Sequence, residues 1–106
     1  MLFKRTIFST EINGVKYVFA ERTMREIETL VAQETTAFDS HEFAKLKQIH
    51  YAFVLASLND VPDGEKVTLD DLLDIGGPTF STLYAAILGS QGIKLEAKNL
   101  GERLPS

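Results

Sequence analysis

His41 and His50 are the first residues to weigh for chemistry, because an imidazole can ligate a metal or move a proton near neutral pH. They stand nine residues apart, and a helical zinc pair needs i, i+4 spacing. His50 reads instead as a side chain at the edge of the core. Ser40 next to His41 would supply a nucleophile and a base. Neighbouring helix residues do not face each other, however, and Ser40 is better explained as a helix N-cap. The run Gly76-Gly77-Pro78-Thr79-Phe80-Ser81-Thr82 superficially resembles a phosphate loop. It lacks the lysine that reaches the phosphates, and it joins two helical patterns instead of a strand and a helix. The acidic stretch from Asn59 to Asp70 fails as a calcium loop: with Gly64 at the turn position, Val61 falls where an oxygen ligand is required. Asp70, Asp71 and Asp74 could form a carboxylate cluster, but acids in a first helical turn are favoured by the helix dipole and solvated. The expectation is therefore a protein that is not an enzyme, with no catalytic residue, no metal and no cofactor.

The elements that would position these side chains follow from pattern. Asn13-Gly14 is a strong hairpin signal, because a type I′ turn needs positive φ at both central residues. With those two as the loop, Ile12 faces Val15, Thr10 faces Tyr17 and Phe8 faces Phe19 on one side of a hairpin over 6–20. Glu11–Lys16, Ser9–Val18 and Ile7–Ala20 pair on the other. Thr23-Met24-Arg25-Glu26 is a capping box, and Met24, Ile27, Leu30 and Val31 follow at helical spacing in a helix of about 24–35. Phe43, Leu46, Ile49, His50, Phe53, Val54 and Leu58 give a helix of about 41–58 whose wide apolar face marks it as central. Pro62 and Asp63-Gly64 lie in a loop. Thr68 caps a short helix of about 69–75 carrying Leu69, Leu72, Leu73 and Ile75. Gly76-Gly77 ends it, and Pro78 opens a last helix of about 79–89. There Phe80, Leu83, Tyr84, Ile87 and Leu88 fall at i, i+3, i+4, i+7 and i+8. That stripe has two readings: packing on the central helix, or a surface for a protein partner. A homo-oligomer is a further possible partner arrangement.

Together these give an α+β fold, mainly helical, with an N-terminal β-hairpin packed on about four helices. The chain has 106 residues, 44% hydrophobic and 25% charged, which is ordinary for one globular domain. That domain is expected over 1–92, with 93–106, where the apolar period weakens, as a flexible C-terminal tail. There is no cysteine, which removes disulfides and thiolate chemistry. The net charge is −4 and the 11 Lys and Arg are scattered, so nucleic acid is not expected as a partner. Residues 1–6 hold no long apolar region of a signal peptide. The longest mostly apolar stretch, Tyr51 to Leu58, is far short of the ~20 residues of a membrane helix, so no membrane partner is expected.

This layout resembles the small tail assembly chaperones of long-tailed, siphophage-type bacteriophages. The residues that carry the resemblance are Ile12-Asn13-Gly14-Val15-Lys16-Tyr17-Val18-Phe19, then Glu21-Arg22-Thr23-Met24-Arg25-Glu26-Ile27. They are similar to an extended segment of the form apolar–polar–Asn/Asp-Gly-Lys-x-Tyr-x-apolar, departing from it in that Val15 and Lys16 stand in the reverse order, and to a step into a Glu-rich helix. The likeness spans roughly residues 5–90 and includes no catalytic signature. It implies a non-catalytic protein of the host cell cytoplasm that binds the tape measure protein, with the tail tube protein as a second partner. The tape measure protein is a long helical chain with apolar stretches, held soluble until tail tube subunits polymerise around it. The chaperone would be absent from the mature virion. Some such chaperones also have a longer frameshifted form, and Ala97-Lys98-Asn99 is compatible with a slippery site. A protein of another class, a structural minor tail or head–tail connector subunit retained in the virion, would share this composition.

Overall fold

Asn13 and Gly14 both take positive φ, 54° and 82°, and the chain reverses between strands β1 (Ile7–Ile12) and β2 (Val15–Ala20). The antiparallel register pairs Ile12 with Val15, Thr10 with Tyr17 and Phe8 with Phe19, as the turn chemistry requires. In a computed structural model of the chain, residues 4–90 are described. After the hairpin come helices α1 (Met24–Asp39), α2 (Phe43–Asn59), α3 (Leu69–Leu73) and α4 (Gly77–Ser90). The fold is α+β and mainly helical, with an N-terminal two-stranded sheet. The proposed tail and the slippery site lie outside the described residues.

One core joins both parts. Ile12 and Phe19 of the hairpin meet Leu30 of α1, Phe53, Val54 and Leu58 of α2, Leu72 of α3, and Leu83 and Ile87 of α4. Phe8 stacks on Phe19 with ring centroids 5.9 Å apart. α2 is central: it packs against β2, α1, α3 and α4, while α4 also packs against β1. Ser57, fully buried on α2, donates from Oγ to the Ala20 carbonyl at 2.6 Å. This satisfies a hydroxyl that burial would otherwise penalise and fixes α2 beneath the end of β2.

Thr23 and Glu26 form the expected capping box at α1: the Thr23 hydroxyl accepts from the Glu26 amide at 3.1 Å, and Glu26 accepts from the Thr23 amide at 2.7 Å. Glu26 also receives Arg5 at 2.9 Å, while buried Arg22 reaches Asp60 at 2.5 Å. These four side chains tie the start of β1, the strand-to-helix junction and the end of α2.

Helix limits differ from expectation chiefly between α1 and α2. α1 runs to Asp39 instead of fading near residue 35, and α2 begins at Phe43 instead of 41. Ser40 is the C-cap of α1, not the N-cap of α2, whose N-cap Glu42 makes no side-chain cap hydrogen bond. His41 has φ 58°; its amide donates to the Phe38 carbonyl at 3.0 Å and the Glu42 amide to that of Ala37 at 2.8 Å. This is a Schellman ending with histidine in the place glycine usually takes. α3 ends at Leu73, short of 75, and α4 starts at Gly77, one residue before Pro78.

Candidate functional site

The five α4 residues divide by burial. Leu83 and Ile87 are 0% exposed, so they belong to the core and offer nothing to a partner in this conformation. Phe80, Tyr84 and Leu88 are partly buried and pack against that core. Phe80 sits edge-on to Tyr51 at 5.3 Å and stacks on Tyr84 at 6.3 Å. The stripe therefore serves packing first, and only the outer edges of three of its residues reach solvent.

Tyr84 leads to a cluster that spacing could not reveal. Its hydroxyl donates to Glu34 Oε2 at 3.1 Å, and His50 Nε2 lies 2.5 Å from the same oxygen. The His50 and Tyr84 rings are 4.6 Å apart. Burial first, then the Glu34 charge and hydrogen bond, push the Tyr84 hydroxyl well above its ordinary range, so it stays a neutral donor. The three side chains come from α1, α2 and α4 and act as a clasp between helices. A histidine oriented by a carboxylate could also move a proton. Glu34 went unnoticed in the sequence because its partners are 16 and 50 residues away and no local pattern links them.

The Asp70, Asp71 and Asp74 cluster divides between the two ends of α3. Asp71 accepts from the Thr68 amide at 3.0 Å in a second capping box, and that backbone hydrogen bond holds its carboxyl below the usual range. Asp70 shares the first turn of α3 and Asp74 is its C-cap. Among the described residues no group of three or more His, Asp or Glu could hold a metal ion, and no helix is long and apolar enough to cross a membrane. Asn59 closes the acidic loop by bonding Val67 through both ends of its amide, at 2.8 and 2.6 Å.

Exposed apolar surface gathers on α1 and at its junction with α2. Met24 is 70% exposed, Val31 52%, Phe38 62% and Phe43 54%. Phe38 and Phe43 meet edge-to-face at 6.0 Å across the reversal. Beside Phe38 lies a hollow of about 400 Å³ lined by Glu34, Thr35, Asp39, Leu46 and His50. A cleft of about 350 Å³ on another side of α1 is lined by Arg25, Leu30, Ile49, Ala52 and Phe53, among others. The Met24 and Val31 exposure departs from a simple apolar-in reading of the α1 pattern: only Leu30 and Ala37 of this helix are buried.

Comparison with protein-family models, with curated proteins and with solved structures gives no match.

Proposed function

We propose that this chain is a phage tail assembly chaperone, a non-catalytic protein that binds the tape measure protein and keeps it soluble during tail assembly. The observation that carries the reading is the exposed apolar face of α1, continued by Phe43 at the helical reversal. Apolar residues grouped on a folded surface mark a place where another chain docks. An unassembled helical chain with apolar stretches aggregates unless those stretches are covered. A small protein with an acidic balance, net charge −4, can cover them and remain soluble itself. The resemblance at Ile12–Phe19 and Glu21–Ile27 supplies the identity of the partner.

Co-expression tests this. The tape measure protein should be soluble with this chain and aggregate without it, at matched expression. Equal solubility in both cultures refutes the chaperone reading. Recovery of the chain in purified virions would favour a structural minor tail or head–tail connector subunit instead.

A further inference from the structure

α1 has two apolar faces. One holds Leu30 and Ala37 in the core; the other exposes Met24, Val31 and Phe38. These three are seven residues apart, so they lie nearly on one line, drifting about 20° per step. The line runs for about 21 Å at 1.5 Å per residue, room for a helix of two to three heptads laid alongside.

The rim of this line is acidic. Exposed Glu28 stands four residues after Met24 and three before Val31, and so borders both. At the far end, the hollow beside Phe38 is lined by Asp39, Leu46, His50 and Glu34, whose Oε2 already takes the Tyr84 hydroxyl and His50. The last turn of α1 has no basic residue, so the negative end of the helix dipole adds to the two carboxylates. The only basic residue of α1, Arg25, lines the cleft with Ile49 and Phe53 instead. A second copy docked α1 to α1 would set Glu28 against Glu28 and Asp39 against Asp39 if parallel, and Glu28 against Glu34 if antiparallel about Val31, unfavourable pairings in both cases.

We propose that the Met24–Val31–Phe38 line docks a basic amphipathic helix of a protein partner, whose lysine or arginine enters the hollow between Glu34 and Asp39. The aliphatic stem of that side chain lies on Phe38 and Leu46 while its charge meets the carboxylates. The inference deepens the chaperone reading and rests on it for the partner's identity, though not for its chemistry.

The test titrates the full chain into two labelled peptides of about three heptads, both with leucine at a and d. One has lysine at e and g, the other glutamate, and fluorescence anisotropy is read at about 0.15 M salt to suppress loose charge attraction. The lysine peptide should bind saturably and about tenfold or more tighter than its twin. Met24→Ser with Val31→Ser, which leaves the charge unchanged, should weaken it about tenfold, as should Glu28→Gln with Asp39→Asn. Leu69→Ser, an exposed apolar site on α3, should not. Circular dichroism checks folding, and Met24→Ser alone serves if the double variant is unstable. Equal binding of the two peptides, or binding untouched by the serine changes, overturns the proposal. So does self-association in sedimentation velocity that the serine changes abolish. In co-expression, a serine variant that still rescues the tape measure protein sinks the docking line and spares the chaperone reading. Lysine-peptide binding without rescue by the wild type does the reverse.

Discussion

Glu26 is held from three directions: by the Thr23 amide, by Arg5 and, at 3.5 Å, by Arg22. Burial alone would raise its carboxyl, but the Arg5 and Thr23 hydrogen bonds and the Arg22 and Arg5 charges outweigh it. They carry the carboxyl from its ordinary 4.5 down to about 2. A folded value below the unfolded one contributes stability that is complete above the ordinary value and is lost as pH falls through the folded value. Glu26→Gln should therefore lower the melting temperature near neutral pH. The gap to wild type should close as pH drops from about 4.5 towards about 2. A gap that stays constant over that range would separate Glu26 from the acid limb. At His41 the left-handed backbone, φ 58°, costs a non-glycine residue about 1–3 kcal/mol. His41→Gly should relieve it, and after the extra freedom glycine gains in the unfolded chain, stability should rise by about 0.5–1 kcal/mol in urea titration. A loss would mean that the His41 ring against Phe43, 5.9 Å away, is worth more than the strain.

Among the elements, the hairpin was the most legible. Asn13-Gly14 allows one turn type, and the alternation of Phe8, Thr10, Ile12 with Val15, Tyr17, Phe19 allows one register. Phe19 is 2% exposed, so Phe19→Ala should cost about 3–5 kcal/mol in urea or thermal unfolding. An unchanged midpoint would contradict the packing of this strand on α2. Capping at Thr23 and Thr68 was legible for the same local reason: the partners are three residues apart. The α1–α2 reversal was not, because histidine occupies the position where glycine would announce a helix end, and Ser40 then resembles an N-cap. Nor was the inner face of α1. Periodicity marks Met24, Ile27, Leu30 and Val31 alike, but small Ala37, 1% exposed, is what α1 buries one turn pair beyond Leu30. Met24 and Val31 are left in solvent. On α4 the pattern identified an apolar stripe yet could not say what covers it; the core claims Leu83 and Ile87. Glu34 carried no signal, since its role depends on helices brought together from distant parts of the chain.

At the scale of the whole molecule, hairpin and helices share one core, so they should melt together. The tyrosines make this measurable: Tyr17 is on β2, Tyr51 on α2 and Tyr84 on α4, and there is no tryptophan to obscure them. Tyrosine fluorescence and far-ultraviolet circular dichroism should give superimposable thermal transitions. Two separated transitions would mean that the hairpin is a satellite of a helical core.

The packing of β1 against α4 has an outcome for how the protein is made. Synthesis delivers β1 first and α4 last of the described elements, yet Ile12, Leu83 and Ile87 belong to one buried cluster, and Asn13 at the hairpin tip reaches Thr79 at 3.4 Å. A nascent chain that stops before Gly77 has α2 against β2 but lacks the α4 cover over β1, and domains of this kind fold as units. The ribosome must therefore release α4 before β1 gains its full cover, and until then the emerging polypeptide itself carries bare, sticky surface.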